Sequence, residues 1–439
     1  MIFDQGLSLD TFSKASDLQK RLLFTIMALF VYRIGTYIPL PGLDPVAIAD
    51  LANRYVHGNG ILGTINMFSG GALSRMTIFA LNLMPYISSS IIIQLMTMVS
   101  PTLEALKKEG ETGRKKIHQY TKYLTIFVAS FQAWGISLVL MNMENSPVVI
   151  GGLFPVISIP CIVCGTLFLV WLGEQMTSRG VGNGSSLLIF AGIVANMPAS
   201  IINVLEQGRA GALSTFAVVT IFAIGLAVIA FVCYIERAQR RISINYPQRQ
   251  AMRAQGRMMD SANHLPLKIN SAGVIPPIFA YALMSLPFAL ASFVGQDNEY
   301  VSAFVEFFNR ESISFSLVLV GMIVFFSFFY TAVVFNPTET ADNLKKAGGF
   351  IPGVRPGKAT AEYLDYILTR LTTVGALYMS FVCLIPTFVK SQFNVDFIFG
   401  GTGILIVVGV TIDTISQIYT HILSHQYRGV LKKIEKRRK

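Results

Sequence analysis

A chain of 439 residues has the length of two or three soluble domains, yet 53% of it is hydrophobic and only 13% charged. Soluble domains carry about 25% charged residues, so most of this surface is built for a solvent other than water, which excludes a secreted enzyme, a disordered tail and a water-soluble nucleic-acid binder. Lys and Arg total 35 against 24 Asp and Glu, a formal charge of +11, and four cysteines without paired spacing in loops give no disulfide framework.

A bilayer core about 30 Å thick needs about 20 mostly apolar residues in helix. Ten such runs follow in chain order: 22–40, 76–98, 121–141, 153–172, 184–205, 213–235, 269–294, 314–335, 367–389 and 397–420. Backbone groups in lipid must be satisfied internally, and the chain lacks the short alternating segments of a membrane barrel. The expected fold is therefore an all-α polytopic membrane protein with ten transmembrane helices. The first run follows Lys20 and Arg21 as a signal peptide would. It contains Arg33 and Tyr37 and ends at Pro39-Leu40-Pro41-Gly42 without a small-residue cleavage site, so it is expected to stay attached.

An even number of spans puts both termini on one side, and basic residues favour the cytoplasm. With the N-terminus inside, the inner loops and tails hold 29 of the 35 Lys and Arg, the outer loops hold 5, and Arg33 lies within the first run. This predicts an N-in, C-in topology. Five spans per half reverse the direction of the second half, which is the plan of inverted repeats. The expected segments are a cytoplasmic stretch 1–21, five-helix halves 22–212 and 213–420, and a basic cytoplasmic tail 421–439.

Between the first two runs, Gly60 to Arg75 is apolar, too short to span and broken by Ser69-Gly70-Gly71. It reads as a re-entrant element, with an amphipathic helix on the outer interface as the alternative. The second run of each half carries proline, Pro85 in one and Pro276, Pro277 and Pro287 in the other. Both read as interrupted helices, of the kind that line sites in inverted repeats. Gly180-Val181-Gly182-Asn183-Gly184 is expected to turn the chain tightly between the fourth and fifth runs.

Catalytic and energy-coupling signatures are weak. Gly357-Lys358-Ala359-Thr360 resembles the end of a phosphate loop, but Pro352 stands where its first glycine belongs. His421 and His425 are helix neighbours without an apparent third metal ligand. Cys161 and Cys164 inside the fourth run read as small buried side chains. His118 and His264 are expected in loops, which leaves no hydrolytic pair within the spans. Candidates for a functional intramembrane charge are few, Arg33 toward the outer end of the first run and Asp413 in the last, so coupled small-solute transport has little support. No enzyme activity and no cofactor are expected. Arg237, Arg240, Arg241, Arg249, Arg253 and Arg257 crowd one inner loop, and Lys345, Lys346, Arg355 and Lys358 the next. Guanidinium forks suit phosphate and carboxylate, so these loops read as a docking surface for RNA or an acidic protein.

Several stretches together resemble the SecY family of bacterial protein-conducting channels. They are Asn66 to Arg75 (NMFSGGALSR), Met84-Pro85-Tyr86-Ile87-Ser88, Trp171-Leu172-Gly173-Glu174-Gln175, Arg179 to Gly184, His264-Leu265-Pro266-Leu267-Lys268, and Asn336 to Lys346 (NPTETADNLKK). The resemblance implies two halves closing around a pore, with a side opening to lipid between spans 2 and 3 and spans 7 and 8. It implies unfolded polypeptides as substrates and signal sequences wedged at that lateral gate, where Ser88 and Gln94 fall. It places a plug helix at Gly60 to Arg75, including Asn66, Phe68, Ser69, Gly70, Gly71 and Arg75. The pore ring would be Leu83, Ile87, Ser185, Ile189, Ile278 and Ile406; Ser185 departs from the family's bulky aliphatics. Flexible aliphatics suit such a ring because they close around any sequence and resist wetting when empty. Implied partners are membrane lipid, the small membrane subunits SecE and SecG, and the SecA motor ATPase or the ribosome, with its RNA and proteins, docked on the basic loops. Arg355 is the foremost docking candidate, and the implied home is the bacterial cytoplasmic (inner) membrane. A small-solute secondary transporter and a poreless assembly scaffold are the competing readings.

Overall fold

A computed structural model of the chain describes residues 16–44, 46–48, 66, 69–142, 146–211, 213–246, 264–294, 313–393 and 401–438. Twelve α-helices occur among them: α1 (Ser16–Gly35), α2 (Met84–Val99), α3 (Pro101–Lys108), α4 (Glu111–Asn142), α5 (Phe154–Arg179), α6 (Gly184–Arg209), α7 (Thr215–Arg237), α8 (Ile275–Val294), α9 (Ile313–Val334), α10 (Pro337–Lys346), α11 (Lys358–Phe393) and α12 (Gly401–Arg438). Each of the ten apolar runs holds one. Seven of the described helices are long and apolar enough to cross a membrane, and an eighth if α2 and α3, which meet at a 99° bend, count together. Outward faces carry large apolar side chains, such as Leu23 and Phe30 on α1 and Phe216, Leu226 and Tyr234 on α7, as lipid contact requires.

The chain divides into two compact units. The first comprises Met1–Glu206, Ala282–Ser312 and Val410–Lys439. In it α4 packs on α2 and α5, and α1 on α5. Leu40, Leu81, Ala133, Leu140, Phe154 and Ile162 form one core cluster. The Ser137 and Ser158 hydroxyls meet at 2.7 Å between α4 and α5, satisfying each other where no water reaches. The glycine-rich turn between α5 and α6 is pinned from two sides. Val181 N–H donates to Thr25 Oγ1 of α1 at 3.2 Å, and Gly182 N–H to Gln417 Oε1 of α12 at 3.0 Å. Gly182 has φ +88°, a conformation glycine adopts without a Cβ clash.

The second unit comprises Gln207–Tyr281 and Ile313–Gly409. Here α11 packs against α9, α10 and α7. After α7 the chain forms an antiparallel ribbon of β1 (Gln239–Ser243) and β2 (His264–Lys268) that the hydropathy pattern did not announce. Asn336 caps α10, its Oδ1 accepting from the Thr338 and Glu339 N–H groups, with Pro337 in the first turn where its missing N–H costs nothing.

Four expectations are corrected. Cys164 of α5 is exposed and Cys161 half-buried, so the two are not the buried pair expected. The second run does not become helix at Met76: residues 69–83 are a string of turns, with Gly70, Gly71, Met76 and Asn82 at positive φ, and α2 starts at Met84. Pro85 and Pro276-Pro277 sit in the first turns of α2 and α8 and start helices there, whereas Pro287 lies within α8. His118 lies on α4 and His264 opens β2, so neither is a loop residue.

Candidate functional site

The sequence marked four groups of residues, and the folded chain positions each differently. In the plug segment, 60–65, 67 and Phe68 lie outside the described residues. The remainder is tied internally: the Asn66 carbonyl accepts from Gly71 N–H and Ser69 Oγ, each at 3.0 Å, and Asn66 Oδ1 from Ser74 N–H at 2.9 Å. The described part at 69–75 is made of turns, so the implied plug helix does not extend through it. These turns lie against the end of α1. Tyr32 OH donates to the Ser69 carbonyl at 3.4 Å, Arg33 Nη1 to the Gly70 carbonyl at 3.0 Å, and Arg75 Nη1 back to the Thr36 carbonyl at 3.2 Å. Gly70 also faces the Gly192 backbone of α6, an approach a side chain would block. Arg33, which showed no partner in the sequence, is thus bonded to the turn segment.

Of the proposed ring, Leu83, Ile87, Ser185 and Ile189 belong to the first unit, and Ile278 and Ile406 to the second. The five aliphatics are all buried. Leu83 and Ile87 are one turn apart at the start of α2, and Ser185 and Ile189 one turn apart at the start of α6, so each pair shares a helix face. Ser185 sits at a close approach of α5 and α6: Gly184 abuts the Gly173 carbonyl, and a Cβ at Gly173 would come 3.3 Å from Ser185 Oγ. The departure from a bulky aliphatic coincides with this crossing.

On α2 the two gate candidates are polar and incompletely bonded. Gln94 Nε2 donates to Ser90 Oγ at 3.2 Å. Gln94 Oε1 and Ser88 Oγ are buried and have no hydrogen-bond partner among the described residues. Beside α2 lies a charged cluster whose pairing the sequence did not show. Glu174 on α5 meets His118 at 2.7 Å and Lys122 at 2.8 Å, both on α4, and Tyr86 of α2 stands edge-on to the His118 ring. Its signal was Glu174 just past the apolar run 153–172, since a carboxylate at the edge of lipid gains from a basic partner.

Arg249, Arg253 and Arg257 lie outside the described residues. Arg240 and Arg241 are exposed on β1, and Arg355 is exposed on the loop before α11. One apolar cluster supports both. Ile242 of β1, Leu267 of β2, Ile351 of the loop, and Leu364, Ile367 and Leu368 of α11 pack together. A bridge between Asn245 and Phe350 ties the ribbon's end to the loop. The three arginines are therefore displayed from a single base.

The SecY family model matches residues 77–415. The chain is 51% identical over 431 residues to the protein translocase subunit SecY of Vibrio cholerae, covering 96% of this chain and 95% of that one. It is 49% identical over 424 residues to the subunit of the same name from Escherichia coli, covering 95% and 94%. Among solved structures the fold is similar to a protein-conducting channel, with TM-score 0.67 and 18% identity over 92% of both chains. It is also similar to Sec61 in a canine ribosome–channel complex from the endoplasmic reticulum, with TM-score 0.64 and 18% identity over 92% of both chains. At that identity the likeness speaks to the fold alone.

Proposed function

Because this chain belongs to the SecY family, we propose that it is the central channel subunit of a Sec protein translocase, passing unfolded polypeptides across the bacterial cytoplasmic membrane and releasing apolar segments sideways into lipid. In this reading ten spans form two inverted halves, 22–212 and 213–420, with both termini in the cytoplasm. Leu83, Ile87, Ile189, Ile278 and Ile406, with Ser185, constrict the pore, and Gly60 to Arg75 stoppers its outer funnel. The basic residues of the ribbon and Arg355 receive SecA or a ribosome, which supplies the driving force, so the chain itself needs no catalytic site. SecE and SecG brace the halves.

The observation that carries the gate is the pair of buried, unbonded acceptors on α2, Ser88 Oγ and Gln94 Oε1. Leaving such an atom unpaired costs about 1–3 kcal/mol, an expense that persists where the site has work to do. A helix carrying it gains when a polypeptide or a neighbouring helix supplies a donor, which favours a seam that opens and closes over a static bundle contact. The test is uptake of a signal-bearing polypeptide by lipid vesicles containing the purified protein with its small subunits, SecA and ATP. Protease-protected polypeptide inside the vesicles is the expected result. Vesicles that admit a small solute but never the polypeptide would support the transporter instead.

A further inference from the structure

The end of α1 and the turns at 69–75 are joined by an arrangement that mere packing does not require. Two guanidinium groups share one aromatic ring: Arg33 Cζ stands 4.9 Å and Arg75 Cζ 4.2 Å from the Tyr37 ring centroid. The two arginines also cross. Arg33, on α1, bonds the Gly70 carbonyl of the turns at 3.0 Å, while Arg75, in the turns, bonds the Thr36 carbonyl beside α1 at 3.2 Å. Arg33 Nη2 donates to Tyr37 OH at 3.0 Å, which ties the ring to one of the two cations. No ion pair among the described residues neutralises either arginine.

Two like charges this near each other repel, and the negative face of the ring is what offsets the repulsion. Each of the two crossing bonds ends on a backbone carbonyl, Gly70 in the turns and Thr36 beside α1. Tyr37 is exposed, so water can take over these bonds when the turns move away. Such a contact is strong enough to hold and weak enough to part.

We propose that Arg33, Tyr37 and Arg75 form a releasable clasp that sets how readily residues 69–75 leave the end of α1, and hence how firmly the stopper is seated. This rests on reading Gly60 to Arg75 as the stopper. The ring face carries the effect, so the variants should rank by aromaticity. In planar bilayers, with the full chain and its copurifying subunits, Tyr37→Leu should raise the resting ion leak about tenfold, the effect of losing about 1.4 kcal/mol. Tyr37→Phe and Tyr37→Trp keep a ring face and should stay near wild type. Arg75→Gln, which loosens the clasp from the other side, should leak in the same direction and covers the case in which Tyr37→Leu does not assemble. Combined with deletion of 60–75, Tyr37→Leu should add nothing to the leak of the deletion. If the deletion itself leaves the leak unchanged, the stopper reading fails and the clasp with it. If the deletion leaks but Tyr37→Leu and Arg75→Gln do not, or Tyr37→Phe leaks as much as Tyr37→Leu, the clasp is overturned while the stopper stands.

Discussion

Arg355 illustrates how a single residue acquires a role from its surroundings. Gly353 and Gly357 flank it at positive φ, and a Cβ added at either would meet nothing within 4 Å, so the loop is an open tip, and Ile351 anchors its base in the apolar cluster. The guanidinium is exposed and makes no hydrogen bond or ion pair among the described residues. Reversing it by Arg355→Glu should leave folding and membrane insertion as they are. Motor-driven transport should fall by at least about tenfold, since a repelled charge in a docked interface costs about 2–5 kcal/mol. Transport rate measured beside ion leak checks this; wild-type transport would remove Arg355 from docking. Sequence alone marked Arg355 because glycine and proline announce an exposed turn. It left Arg33 unexplained because its acceptor in the turns is the Gly70 carbonyl, 37 positions away in sequence, and a backbone acceptor has no residue type to recognise.

At the scale of elements, α2 gathers what was legible and what was not. Its apolar content marked a span, but the same content continues through Met76 to Leu83, which are buried turns. Hydropathy measures burial, and a buried turn satisfied by neighbouring backbone is as apolar as a helix. Leu40 N–H donates to the Met76 carbonyl and Ile78 N–H to the Ile38 carbonyl, so these turns find partners that composition cannot display. Pro85 was ambiguous for a related reason, since proline fits the first turn of a helix as well as it breaks the middle. On this helix Gln94→Leu removes the buried unbonded acceptor, which tests the proposed gate. Substitution should relieve about 1–3 kcal/mol of burial cost on α2 and so stabilise the closed form. Weakly hydrophobic signal sequences should then be accepted several-fold less often, scored by their transport relative to a strong signal. Equal transport of both signals in the variant would detach Gln94 from the gate.

For the whole molecule, every apolar run of about 20 residues holds a helix, because in lipid no other backbone satisfies itself within one segment. The ribbon escaped notice because each strand buries a single residue fully, Ile242 or Leu267, too few for an alternating pattern. The N-in, C-in reading with ten spans makes a direct prediction. In a cysteine-free background, Arg209→Cys should react with an impermeant maleimide applied from outside intact cells, and Arg355→Cys only after the membrane is opened. The reverse pattern would invert the topology. The apolar base under Arg240, Arg241 and Arg355 has a mechanical corollary. Ribbon, loop and the opening turns of α11 share one packed interior, and packed interiors compress very little. A partner pressing on the ribbon or the loop therefore meets a stiff handle whose displacement is passed as torque to the shaft of α11.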